Sequence, residues 1–248
     1  MATFLLVHGA FHGGWCWDLL VPKLQSLGHR VEAFDLAQPG DATKSADALL
    51  DGWTDAVVAR AVAHAQPVIL VGHSRGGIVV SATAERIPDH VARSVYCAAM
   101  LVDSGETMAD TRARLTGTSG PRVQIDPDPD GLHLGADPTS VVELIYHRAE
   151  PVDRKPMIGR LTKEPRAGFL IAPHLTSTRY GRVPRAFIEC TDDRVFGIDL
   201  QRGMQRSEPC DIVIRLDADH APYLSAPTAL AAALHGIAEM ESGRARLA

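Results

Sequence analysis

Long apolar runs, lysine- or arginine-rich stretches and low-complexity segments are all missing from this 248-residue chain. Its first apolar run is only Phe4-Leu5-Leu6-Val7 with no basic residue before it, too short for a secretory h-region or a membrane span. The expectation is a cytoplasmic protein. A formal net charge of −5 without a basic run argues against nucleic acid or an anionic membrane as main partner, leaving a small molecule of little net charge. Only four cysteines occur, Cys16, Cys97, Cys190 and Cys210. They lack zinc-ligand spacing, and Cys97 and Cys190 sit in apolar strand-like runs where a thiol serves as a small hydrophobe. Nothing in the sequence sets the oligomeric state.

What is present is apolar bulk, 46% of residues against 22% charged, enough for one well-buried core. Short apolar runs, each too short for a helix, recur at residues 3–7, 30–34, 67–71, 93–99, 184–190 and 211–216. Helical patterns fall between them at 15–27, 46–65, 76–86, 197–206 and 227–240. That alternation implies an α/β protein with a mainly parallel six-stranded sheet, helices on both faces, and ligand chemistry at the carboxyl ends of the strands. Residues 103–183 interrupt the alternation and read as a cap inserted into a core made of 1–102 and 184–248. Within the cap, 140–148 and 152–161 look helical, and Val141, Leu144, Ile145, Met157, Ile158 and Leu161 suit either a pocket roof or ordinary packing. Asp126-Pro127-Asp128-Pro129-Asp130-Gly131 has the acidity of a calcium loop, but its alternate prolines and missing terminal Glu read as a solvated turn. No metal site is expected, and residues 241–248 are read as a frayed end.

The run ending at Val71 breaks into Gly72-His73-Ser74-Arg75-Gly76 and resumes as helix. A chance Gly-x-Ser-x-Gly arises in roughly one in ten chains of this length at ordinary Gly and Ser frequencies; its placement between strand and helix carries the weight. There a strained turn would lift the Ser74 hydroxyl clear of the sheet, while any Cβ at Gly72 or Gly76 would strike the neighbouring strand and helix. A serine hydroxyl needs a base, and the base a carboxylate to fix its tautomer. After the strand at 184–190 comes Asp193, and after the last strand comes His220, in the order acid then base. Asp103, following the strand at 93–99, competes with Asp193 for the acid's role. Oxyanion donors are expected from the amide of Arg75 and from the glycine-rich loop after the first strand, with Ala10 as candidate. The Arg75 guanidinium is either a solvated helix-start group or a binder of substrate carboxylate.

His8-Gly9-Ala10-x-His12-Gly13-Gly14-x-Cys16-Trp17, Gly72-His73-Ser74-x-Gly76-Gly77, Cys190-Thr191-x-Asp193 and Asp219-His220 together resemble the α/β-hydrolase family. They are closest to its branch of plant methyl esterases, the salicylate-binding esterase, hydroxynitrile lyases and related bacterial esterases. The resemblance implies the α/β-hydrolase fold and a Ser74–His220–Asp193 serine carboxylesterase using neither metal nor organic cofactor. Cyanohydrin-cleaving members carry Thr, Glu and Lys where this chain has Gly9, His73 and Ala221, which favours hydrolysis. Gly9 would also leave room for the ester carbonyl. The substrate is expected to be a small apolar or aromatic ester, with Phe11, Met100, Leu144, Tyr146, Phe196 and Tyr223 as candidate pocket residues. Two other readings stay open. One is a non-hydrolytic enzyme of this fold, such as a lyase, cofactor-free oxygenase or natural-product tailoring enzyme; the other is a slow-turnover ligand receptor.

Overall fold

A computed structural model describes residues 1–37, 40–116 and 121–245. In chain order the first half comprises β1 (Thr3–Val7), α1 (Val21–Ser26), β2 (Arg30–Ala33), α2 (Ala46–Val62), β3 (Val68–Ser74), α3 (Gly76–Arg86) and β4 (Val91–Ala99). Between β4 and the next long strand lie α4 (Met108–Thr116), β5 (Ile125–Pro127), β6 (His133–Ala136), α5 (Pro138–Leu144), α6 (Pro151–Ile158) and β7 (Glu164–Pro165). The chain then returns through β8 (Arg185–Cys190), α7 (Ile198–Ser207), β9 (Ile212–Leu216), α8 (Pro222–Ser225) and α9 (Pro227–Ala245). The long strands form one parallel sheet in the order β2-β1-β3-β4-β8-β9.

Burial on both faces explains why the inner strands β1, β3 and β4 are mostly apolar runs, whereas the edge strands β2 and β9 alternate or stay partly exposed. Successive side chains point to opposite faces, so Phe4 and Leu6 join Val95 and Ile188 in one core layer. Leu5 and Val7 join Leu70, Tyr96 and Phe187 in the other. α1 and α9 cover the first layer, α2, α3 and α7 the second. Because β2 and β3 flank β1 on opposite sides, the chain leaves β1 and β3 in different directions and opens a crevice at their carboxyl ends, where such sheets hold ligands.

Some local expectations change. Residues 15–27 are not one helix but a 3-10 turn, Gly14–Trp17, followed by α1 with Pro22 in its first turn. Proline lacks the N–H that a helix interior needs and is best accommodated in a helix's first turn. Within 103–183 the two expected helices are α5 and α6, joined by α4 and a three-stranded antiparallel sheet, β5-β6-β7, that the sequence pattern does not announce. The acidic stretch is the β5–β6 hairpin. Asp130 accepts from the Leu132 and His133 amides, and Asp128 from Lys163. Residues 241–245 continue α9 rather than fray, while 246–248 lie outside the described residues. No helix among those described is long and apolar enough to cross a membrane.

Candidate active site

Ser74 caps the β3-to-α3 turn with φ +52, a left-handed conformation that costs about 1–3 kcal/mol outside glycine and persists only where neighbours enforce it. The enforcement is steric. A Cβ on Gly72 would lie 2.8 Å from the Gly76 carbonyl carbon, and one on Gly76 would lie 2.6 Å from the Val7 oxygen, so both positions need glycine as the sequence implies. The β3–β4 register shifts between His73 and Ser74, leaving Ala98 with φ +43 opposite the turn. Met100 N–H donates to the Ser74 carbonyl at 2.9 Å.

His220 follows β9 and Asp193 follows β8. His220 Nδ1–H donates to Asp193 Oδ2 at 2.7 Å, and both side chains are buried. The second Asp193 oxygen accepts the Val195 and Phe196 amides at 2.7 and 2.8 Å. A carboxylate only accepts, so Nδ1 carries a proton in this bond, and the tautomer of a neutral imidazole held this way has Nε2 as its lone-pair nitrogen. Neighbouring acids are engaged elsewhere: Asp192 with His147, Asp217 with Arg148, and Asp219 with the amides of Arg148 and Ala221. Asp103 pairs with Arg114 at 2.9 Å and is partly exposed. The geometry therefore brings Asp193, not Asp103, to His220. Among the described residues no hydrogen bond joins Ser74 Oγ to His220, but both line one cavity. Behind them, His73 Nε2–H donates to the His220 carbonyl at 2.7 Å. Burial holds the His73 pKa well below its ordinary value of 6.5, so its ring is neutral.

The loop after β1 is fixed at successive peptides. Burial lowers His8 and His12 to about 4, so each carries one donor and one acceptor nitrogen at neutral pH. His8 Nδ1–H donates to Gly9 O at 2.8 Å while its Nε2 accepts from Leu36 N–H. His12 Nδ1–H donates to Ala10 O at 2.7 Å while its Nε2 accepts from the Tyr146 hydroxyl. In a planar trans peptide, holding Gly9 O toward His8 turns the Ala10 N–H the opposite way. The next amide, Phe11 N–H, is taken by Glu164 Oε1 at 2.7 Å. Among the described residues no acceptor meets the amides of Ala10 and Arg75, the latter preceding the first residue of α3.

Ala10, Ser74, Arg75 and His220 open into a cavity of about 250 Å³ walled by Phe11, Met108, Ile145, Phe169, Val195 and Phe196. Phe11 and Phe196 thus stand where the sequence reading puts them, whereas five other candidates do not. A Cβ on Gly9 would lie 2.8 Å from Ser74 Cβ, so that glycine admits the serine turn rather than a substrate carbonyl. Met100 is fully buried in the core beneath α3. Leu144 is absent from the wall, where the adjacent Ile145 lies instead. Tyr146 and Tyr223 are fully buried behind it, Tyr146 bonded to His12 and Tyr223 packed edge-on against His73. The Arg75 guanidinium is neither solvated nor turned to a ligand: it pairs with buried Glu164 at 2.6 Å and stacks 4.2 Å over Trp53. Met108, Phe169 and Val195 in the wall, together with Glu164, are among the residues that sequence reading missed, and no local pattern marks them. A larger surface groove of 860 Å³ beside β2 contains neither Ser74 nor His220.

The profile of the Alpha/beta hydrolase family matches residues 4–233. The chain belongs to this family. As a family member it is similar to methylesterase 2 of Arabidopsis thaliana, with 30% identity over 95% of both chains. It is 33% identical to a pyrethroid hydrolase of Sphingobium wenxiniae over 96% of this chain and 88% of that one. The solved structure of a pyrethroid hydrolase from Sphingobium faniae JZ-2 superposes with TM-score 0.80 at 30% identity, covering 99% of each. This α/β hydrolase is an esterase-type enzyme in the branch that its motifs resemble.

Proposed function

We propose that the protein is a serine esterase acting on small carboxylic esters with an apolar or aromatic portion. The observation that carries this reading is the buried 2.7 Å His220–Asp193 hydrogen bond opening on the same cavity as Ser74. Ser74 Oγ attacks the carbonyl carbon as its proton passes to His220 Nε2, and Asp193 stabilises the imidazolium. Charge that develops on the carbonyl oxygen is met by the Ala10 and Arg75 amides, each worth about a hundredfold or more in rate. His220 then protonates the departing alkoxide, which leaves as the alcohol. In the second half, His220 takes a proton from water, the hydroxide attacks the acyl-enzyme, and Ser74 leaves with the proton returned. Protons and electron pairs balance without a metal or organic cofactor.

The cavity wall supports this substrate class. Phe11, Phe169 and Phe196 give an aromatic lining, and about 250 Å³ suits a small ester rather than a polymer. A cyanohydrin-cleaving role fits less well, because Gly9, His73 and Ala221 stand where cyanohydrin-cleaving members carry Thr, Glu and Lys.

The test compares wild-type protein with Ser74→Ala on p-nitrophenyl acetate and butyrate, with a fluorophosphonate probe reporting a covalent serine adduct. Turnover and labelling are expected from wild type, and both are lost in the variant. Full turnover in Ser74→Ala would refute the mechanism.

A further inference from the structure

Glu164 reaches both amide-bearing limbs of the site from the opposite side of the cavity wall. It lies on the two-residue strand β7 and is 4% exposed. Oε1 accepts the Phe11 N–H at 2.7 Å, and Oε2 accepts from Arg75 Nη1 at 2.6 Å. The same segment holds the other end of Phe11, since Thr162 N–H donates to the Phe11 carbonyl at 2.8 Å. Phe11 has φ +64, a strained conformation for a bulky residue, so these bonds hold a backbone that would otherwise relax. Arg75 is equally confined. Its guanidinium stacks on Trp53, whose indole N–H is anchored by Asp41, and a Cβ on Gly168 would lie 2.8 Å from Arg75 Nη1.

One carboxylate therefore joins the peptide next to the Ala10 donor with the side chain of the residue that supplies the Arg75 donor. Resting on the serine-esterase reading above, we propose that Glu164 is a positioning residue for the oxyanion-binding amides. Its two oxygens set the distance between the loop after β1 and the start of α3. With Ala10 O held by His12 and Phe11 N–H held by Glu164, the peptide between them is pinned at both polar ends. That pinning sets the Ala10 backbone and with it the direction of the Ala10 N–H. Donors act on a developing oxyanion only within a narrow distance range, and a misplacement of about 1 Å can cost roughly a hundredfold in rate. Glu164 itself meets no reacting atom. Through it, residues 103–183 take part in positioning a site whose proposed nucleophile, base and acid lie on the rest of the chain.

The experiment uses the full chain as wild type, Ser74→Ala, Glu164→Gln, Glu164→Asp and Glu164→Ala. Active sites are titrated with a fluorophosphonate, kcat and KM for p-nitrophenyl butyrate are expressed per titrated site, and the labelling rate constant is measured separately. Glu164→Ala is expected to lower kcat per site about a hundredfold with KM little changed. Labelling should slow in parallel, because the phosphoryl oxygen occupies the oxyanion position. Glu164→Gln keeps an acceptor for Phe11 N–H but loses the charge opposite Arg75, and is expected to lose about tenfold. A merely structural ion pair would reduce the fraction of titratable protein and leave kcat per site at the wild-type value, which would overturn the proposal. Should Glu164→Ala not fold, Glu164→Gln and Glu164→Asp decide the question by the same readout. Wild type that neither labels nor turns over would remove the serine-esterase reading and this proposal with it. Wild-type activity lost in Ser74→Ala but retained per site in the Glu164 variants would remove this proposal alone.

Discussion

Acidification from pH 7 to pH 5 should weaken the fold by several kcal/mol before most carboxylates titrate. His8 and His12 have pKa values of about 4 in the fold against an ordinary 6.5, and burial is the main cause of both shifts. In that window the unfolded chain binds protons that the folded chain refuses, so stability rises with pH and falls as acid is added. Integrating over those two pH units gives about 2 kcal/mol for each of the two histidines. Buried His73, whose pKa is also depressed, adds a third contribution of the same sign. Against a total stability of about 5–15 kcal/mol this is a large fraction. Urea unfolding followed by fluorescence of buried Trp17 and Trp53 at pH 7, 6 and 5 measures it. His12→Asn, whose amide keeps a donor for the Ala10 carbonyl, removes one titrating group and should flatten the slope by about one proton. A pH-independent unfolding free energy, or an unchanged slope in His12→Asn, would refute the neutral-histidine account of the loop.

Asp193→Asn should lower kcat by about 10⁴-fold on p-nitrophenyl butyrate, since an amide disturbs the His220 tautomer that the carboxylate holds. Asp103→Asn should leave kcat unchanged, and the reverse ranking would reassign the acid. Gly76→Ala places a Cβ 2.6 Å from the Val7 oxygen, an overpacking that costs about 1–3 kcal/mol or more. Calorimetry should show its melting temperature lowered by roughly 2–10 °C, and a wild-type melt would contradict the close approach.

The inner sheet strands were legible because burial on both faces leaves mostly apolar runs, the edge strands β2 and β9 because their apolar and β-branched residues stand between helical patterns, and Ser74 and His220 because each directly follows a strand or its turn. Asp193 was legible by the same rule, yet only spatial proximity to His220 separates it from Asp103. Residues 103–183 were less so. β5 is three residues long and exposed, so neither period nor hydrophobicity marks it. Leu144 is a pocket candidate by sequence but its neighbour Ile145 lines the cavity, because one step along a helix turns a side chain by about 100°. Tyr146 and Tyr223 look like pocket aromatics in sequence but spend their rings supporting histidines. Glu164 and Arg75 are 89 positions apart, and a pairing across that interval leaves no trace in local composition.

The groups around Ser74 come from the exits of β1, β3, β8 and β9, so the constellation extends in sequence from His8 to His220. Parallel neighbours cannot pair through hairpins, and each must await the closure of a long crossover. His220 follows the sheet's edge strand, the last to be synthesised. Recovery of turnover during refolding would therefore time the arrival of β9, serving as a clock for completion of the sheet that circular dichroism, sensitive to helices formed earlier, would read too soon.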